Sequence, residues 1–239
     1  MVELLIGAPS WKRAWIIPQW LQFAFTACEE ARISPEFFLQ LDPRDGESAD
    51  VFLTTAAALG AEAHVHWQEE EDPGERNHNW NAISYQYMTD LRNNLLRHVR
   101  EIQPEYFLSV DTDILLHPRA VERLFDSIQS YDAVGGKTFM SPYGLRHPSY
   151  GHHFIGPNGY VLIREEAPTH VMPVDVIMAI KMMTPEAYNI DYEWHIYGED
   201  IGWCYACKRA GLAIGWDGRC CSKHVMRPEL LVYDERCGF

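Results

Sequence analysis

Positive charge is scarce in this chain. Its 239 residues hold 20 Lys and Arg against 34 Asp and Glu, a formal net charge of −14. A surface with that excess repels polyanions, which weakens a nucleic-acid or anionic-membrane reading. Two local basic clusters stand against it, "LRNNLLRHVR" and "GRCCSKHVMR". Long apolar runs are also missing: none is long enough to span a bilayer. The opening "MVELLIGAPS" has an acid at position 3 and only a short apolar run, so it lacks the basic start and long apolar stretch of a signal peptide. A soluble protein in the cytoplasm is expected. There is no internal repeat, low-complexity segment or linker. With 47% hydrophobic and 23% charged residues the composition is globular, which excludes a disordered chain. One domain over residues 1–239, built in two subregions, is expected.

Cysteine is present but arranged for packing. Cys204 and Cys207 form a CxxC, Cys220 and Cys221 are adjacent, and Cys28 and Cys237 stand apart. Two pairs could supply four thiolates to zinc. However, Cys204 and Cys207 lie inside "EDIGWCYACKRAG", where an i, i+3 spacing marks one helix face. Free Cys packs there as a small hydrophobe, and this reading is preferred.

What the chain does have is alternation. "ELLIGAP", "EFFLQLD", "EAHVHW" and "EYFLSV" read as strands. Between them lie helical patterns at about Pro18 to Arg32, in "ADVFLTTAAALGA", and at about Asn81 to Ile102. Pro118 starts another helix, and "YDAVGGKTF" reads as a further strand. This predicts an α/β fold with a mostly parallel sheet covered by helices on both faces. Ligands bind such sheets beyond the carboxyl ends of the strands, where Asp42, Asp111 and Asp113 fall. Later, "MPVDVIMAIKMM" reads as a short helix. "MSPYGLRHPSYGHHF" reads as a loop, "LAIGW" as a short strand, and the tail from Gly218 has no clear periodicity.

Two motifs carry chemistry. In "YFLSVDTDILLHP" an apolar strand runs into Asp111 and Asp113. Carboxylates at i and i+2 project to one side of extended backbone and repel unless a cation sits between them. Mg²⁺ or Mn²⁺, with diphosphate oxygens as further ligands, would resolve the conflict. An ordinary polar turn is the plain alternative, as is a phosphoaspartyl site with Asp111 as nucleophile. In "YGEDIGWCYACKRAG", Glu199 and Asp200 stand at a helix start. They read either as capping acids favoured by the helix dipole or as a general base held there. His224 follows in "SKHVM" and reads as a metal ligand or a surface residue.

The ordered set of "DTD", the "GED" helix ending "KRAG", the strand "LAIGW" and then "KHVM" resembles the sugar-nucleotide-dependent glycosyltransferases of the GT-A fold, closest to the inverting, family 2-like group. The resemblance implies a single GT-A domain, with about 1–115 as the nucleotide-binding part and about 116–239 as the acceptor and catalytic part with a C-terminal loop. It implies metal-dependent transfer of a sugar from a nucleoside diphosphate, UDP foremost, to a hydroxyl acceptor. Asp111, Asp113 and His224 would be the metal ligands, and Asp111, Thr112 and Asp113 would meet the donor. Ala8, Pro9, Ser10, Asp42 and Arg92 would also lie against the nucleotide and its diphosphate. Asp200 would be the base, with Glu199 as its substitute.

The sequence departs from that family in its opening "GAPSWKR", which lacks the usual polar opening of family 2 enzymes, and in having no QxxRW-type processive motif. The acceptor is open among a saccharide, a lipid-linked sugar, a protein and a modified DNA base. Residues Tyr143 to His153 and the aromatics Trp194, Tyr197 and Trp203 are candidates for its platform, Trp203 being better placed as core. Competing readings are a nucleotidyltransferase, an Asp-nucleophile phosphatase and a non-catalytic sugar-nucleotide binding protein.

Overall fold

The computed structural model of the protein describes residues 2–69, 82–140, 152–155, 161–162 and 169–231. The first half alternates as the sequence predicts: β1 (Leu4–Ser10), α1 (Ile17–Ala31), β2 (Pro35–Leu41), α2 (Gly46–Leu59), β3 (Glu62–Trp67), α3 (Ala82–Ile102) and β4 (Tyr106–Val110). β1 pairs in parallel with β2 and β4, and β2 with β3. Each of these strands except β3 is apolar on consecutive residues because both sheet faces are covered. Leu4 and Ile6 face one core with Phe37, Leu39 and α1, while Leu5 faces another with Phe38, Phe107 and α3. The side-chain period of two sorts neighbouring residues into opposite cores.

The second half completes the sheet. It contributes β5 (Ile114–Leu116), α4 (Ala120–Ile128), β6 (Ala133–Met140), β7 (His152–Ile155), β8 (Val161–Leu162), β9 (Val171–Pro173), β10 (Val176–Ile177), β11 (Ile180–Met183), α5 (Pro185–Tyr188), α6 (Glu199–Arg209) and β12 (Ile214–His224). The main sheet runs β3-β2-β1-β4-β11-β6-β12-β5, with β9 on β12. β11 is antiparallel to both β4 and β6, so it fills the slot between two strands that point the same way. β7, β8 and β10 form a small separate sheet.

Three sequence expectations are corrected. The stretch "MPVDVIMAIKMM" forms three short strands instead of a helix. Its Val and Ile residues suit extended backbone, and Ile180–Met183 gains ladder partners on both sides. The strand begun by "LAIGW" continues through His224, crossing an irregularity between Asp217 and Cys221 in its pairing with β6. His152 and His153 belong to β7, paired with β10, and not to a loop. The rest of the proposed acceptor loop, 143–151, lies outside the described residues, as does Cys237. Cys28, Cys204, Cys207, Cys220 and Cys221 are free thiols. All but Cys221 are buried, and burial pushes the Cys28 and Cys204 thiols up to about 12. Among the described residues no three or more His, Cys, Asp or Glu form a group that could hold a metal ion, the expected set of Asp111, Asp113 and His224 included.

Away from the DTD corner, β3 and α3 are joined by imidazoles. His64 Nε2 lies 2.8 Å from His98 Nε2, and the His66 ring stacks on His98 at 4.2 Å. Burial lowers all three. His66 lowers His64 and His98 further, His64 lowers His98 and Arg97 lowers His66, while Glu62, Glu69 and Glu101 act in the opposite sense. A histidine held below its ordinary value contributes stability that is complete above about pH 6.5 and is lost as pH falls through the folded value. Hydrogen exchange should therefore show β3 amides opening more readily at pH 5 than at pH 7.5. The difference should shrink in His64→Phe, which keeps the stacking and cannot charge.

Candidate active site

The site forms where β4 ends. Asp111 donates its backbone N–H to Ala179 O at 3.2 Å, which ties the corner to the turn before β11. Ile114 pairs with His224 in the antiparallel β5–β12 ladder, and this register sets the preceding Asp113 beside His224. Val225 N–H donates to Asp113 O at 2.7 Å, which closes the same corner. As a result Asp113 Oδ2 lies 3.5 Å from His224 Nε2, though 111 positions separate the two in sequence (224 minus 113).

A third strand end supplies Arg13. After β1, Lys12 N–H donates to Asp45 Oδ2 at 2.6 Å and Arg13 N–H donates to Ser48 Oγ at 3.2 Å, which pins this loop to the start of α2. So anchored, Arg13 Nη2 reaches Asp113 Oδ2 at 3.3 Å. Burial alone would raise the Asp113 carboxyl, but His224 and Arg13 outweigh it and hold it below the usual carboxylate range. Burial likewise disfavours the charged His224 ring, and Asp113 with Asp111 reverses this and raises it. Ser10 and Thr112 are buried with their hydroxyls 3.3 Å apart.

Asp111 turns the other way. Its Oδ1 accepts from Arg92 Nη2 at 2.5 Å. Arg92 projects from α3 and is 3% exposed; Nη1 lies 3.4 Å from Ser109 Oγ, and Nε lies 4.0 Å from Glu199 Oε1. Burial works against its charge, but Asp111, Tyr192, Asp200 and Glu199 hold it firmly protonated. One guanidinium thus joins the DTD corner to the start of α6.

At α6, Gly198 takes φ of +124°, a conformation that L side chains rarely adopt, and aims Glu199 and Asp200 inward as the first helical residues. Gly202 permits the preceding loop to lie against the helix: a Cβ there would stand 1.8 Å from Glu193 O. Asn93, next to Arg92, holds the same loop through both its amide atoms. Its Nδ2 donates to Tyr192 O at 3.0 Å, and its Oδ1 accepts from Tyr192 N–H at 2.6 Å. Asp200 Oδ1 is ion-paired to Lys181 Nζ from β11. Burial, reinforced by Asp200, raises the Glu199 carboxyl to about 7 against the pull of Arg92 and Lys181.

Most of the expected residues converge: Ser10, Arg92, Asp111, Thr112, Asp113, Glu199, Asp200 and His224 surround one corner. Ala8 is fully buried within β1, and Pro9 is half-buried. Asp42 lies at the end of β2, buried, with its carboxylate forked by Arg44 at 2.8 and 2.7 Å. Trp203 is core, whereas Trp194 and Tyr197 are half exposed. Sequence reasoning missed Arg13, Asn93, Tyr192 and Lys181. Lys181 had a signal, as a lone cation in "VIMAIKMM" that demands a buried acid partner.

No family model matches the sequence, and no curated protein matches it. Solved structures do match in fold. The chain is similar to TarS of S. aureus (residues 1–349), with TM-score 0.59, 11% identity, 93% of this chain covered and 60% of that one. It is also similar to the same protein in complex with UDP-GlcNAc, with TM-score 0.59, 12% identity and coverage of 97% and 62%. Against the complex with UDP the TM-score is 0.58, the identity 12% and the coverage 95% and 61%. The chain spans about three fifths of the length of those structures. The fold is that of the GT-A glycosyltransferases.

The raised Glu199 carboxyl is a stability statement. Its contribution is complete below the ordinary value of 4.5 and is lost as pH rises through about 7. Glu199→Gln keeps the shape without the charge. Urea unfolding should find it more stable than the parent by about 2–3 kcal/mol at pH 8 and equal to it at pH 4. An equal difference at both pH values would show that the carboxyl is not raised.

Proposed function

We propose that this protein is a glycosyltransferase that moves a sugar from a nucleoside diphosphate, UDP foremost, to a hydroxyl acceptor with inversion. The observation that carries the reading is the placement of Arg92, ion-paired to Asp111 with its Nε 4.0 Å from Glu199 Oε1, which sets the start of α6 beside the paired aspartates. A phosphatase could use the aspartates and the α6 pair but would leave the "KRAG" to "KHVM" segment with His224 unexplained. The TarS complexes with UDP-GlcNAc and UDP support a nucleotide-sugar donor. The residues to about 115 would form the donor half, with Ser10, Thr112 and the strand ends near Pro9 and Asp42 facing the nucleotide.

The acceptor oxygen attacks the anomeric carbon opposite the diphosphate. A new C–O bond forms while the bond to the diphosphate oxygen breaks, its electron pair leaving with the nucleoside diphosphate. The acceptor proton passes to Asp200, or to Glu199 as its substitute, and such a base contributes about 10²–10⁴-fold. Arg13, Arg92 and His224 face the charge that gathers on the leaving group.

Asp113 and His224 are the residues that would hold a divalent ion. Asp113 Oδ2 and His224 Nε2 lie 3.5 Å apart, compatible with two ligands that each bind one ion at about 2.0–2.2 Å. Asp111 would hold it through the outer shell, since its carboxylate is engaged by Arg92. Bound there, Mn²⁺ or Mg²⁺ would supply Lewis-acid neutralisation of the diphosphate. The half-exposed Trp194 and Tyr197 offer faces for a sugar ring of the acceptor.

Calorimetric titration with UDP, GDP, CDP and dTDP, each with and without Mn²⁺, tests the reading. UDP should bind most tightly, more so with Mn²⁺, and Asp113→Ala should weaken it at least about tenfold through loss of metal contact. Absence of binding to all four nucleotides would remove the proposal.

A further inference from the structure

A lysine fully buried at the centre of a sheet is among the least expected residues in a fold. Lys181 is 1% exposed on β11, opposite Ser109 of β4 and Gly135 of β6. Its Nζ is ion-paired to Asp200 Oδ1 and sits 5.2 Å from the Tyr192 ring centre and 5.8 Å from that of Trp203. Both distances are within cation–π range, and the two rings stack on each other at 5.8 Å. The head group is therefore enclosed by one carboxylate and two aromatic faces, and it points at the candidate base rather than at solvent.

The surroundings explain why the base would need it. Asp200 shares its helix turn with Glu199 and sits over Cys204 one turn on. Tyr192 of the preceding loop and Arg92 of α3 complete the set of titratable groups near it. Arg92 is committed to Asp111, which leaves Lys181 as the cation that contacts Asp200 among the described residues. Two adjacent buried carboxylates repel, and without a countercharge one of them takes up a proton. Lys181 supplies that countercharge by its direct contact with Asp200.

We propose that Lys181 is the positioning residue of the transfer site: it fixes Asp200 as an oriented carboxylate, with one oxygen on the ammonium and the other left for the acceptor's proton. This rests on the glycosyltransferase reading. The isolation of Lys181 within an apolar strand follows from the role, since β11 is the strand whose insertion carries a cation beneath α6. The aromatic enclosure favours an ammonium, and among the described residues its ion pair is with Asp200.

The test needs no known acceptor. Release of UDP to water from UDP-glucose, UDP-galactose and UDP-GlcNAc is followed from pH 5.5 to 9.5 for the wild type, Lys181→Met and Lys181→Arg, with UDP calorimetry on each. Lys181→Met should lower kcat about 100-fold at pH 7, within the range for loss of a base, with KM changed less than about threefold. The rate should return as pH rises by about one to two units, because the unpaired carboxylate is then regained. Lys181→Arg should recover a large part of the rate at pH 7. A purely structural role would give equal loss at every pH, and that result overturns the proposal. So does an unchanged profile in Lys181→Met. If UDP binds the wild type but is never released from any of the three donors, no base acts there and the positioning role falls. If UDP does not bind at all, it is the glycosyltransferase reading that has failed.

Discussion

A buried guanidinium cannot stand alone in a protein interior, and Arg92 is the constraint on which this site turns. Burying an unpaired charge costs several kcal/mol, so the fold must bring carboxylates to it. Asp111 comes from the end of β4 and Glu199 from the start of α6. Helix α3, the strand end and the α6 turn are thereby fixed relative to one another. Removing Asp111 strands the Arg92 charge, which is more damaging than the loss of one hydrogen bond. Asn93, one residue further along α3, holds the loop that leads to α6, so the same helix turn sets both the charge and the backbone.

The global and local charges point in opposite directions. The chain is strongly acidic overall, yet Arg13, Arg92, Lys181 and His224 gather at one corner. Two of these come from the two basic clusters visible in the sequence, Arg92 from "LRNNLLRHVR" and His224 from "GRCCSKHVMR". The acidic surface discourages a long polyanion from lying across the protein, while at the corner each of these cations is already paired with an acid.

Much of the first half was legible because β1, β2 and β4 are apolar on consecutive residues and the helices between them keep a regular period. Asp111 and Asp113 were legible as two acids that an apolar strand would not otherwise place together. The second half was not legible in the same way. Strands of two to four residues, such as Val176–Ile177 and Ile180–Met183, carry no periodicity, and their identity comes from the strands they pair with far along the chain. The placement of Arg13 on Asp113 depends on a loop pinned to α2, which no spacing reveals. Lys181 could have been suspected from its apolar setting, but its partner could not, because choosing Asp200 requires knowing that β11 lies beneath α6.

Electrostatic balance at the corner argues for the divalent ion that the glycosyltransferase reading invokes. Asp111, Asp113, Glu199 and Asp200 face Arg13, Arg92, Lys181 and His224, and each contact made so far pairs an acid with a base. The corner is thus close to neutral by itself. A nucleoside diphosphate brings at least two further negative charges into a partly buried space where screening by water is weak. Arg13 and His224 are similarly part-exposed on Asp113, and an arginine drawn towards a ligand would uncover that carboxylate. A divalent ion held by Asp113 and His224 would neutralise the carboxylate that Arg13 releases and part of the diphosphate as well. On this argument a metal and Arg13 would not be alternatives: with Asp113 and His224 holding an ion, Arg13 would be available to a diphosphate.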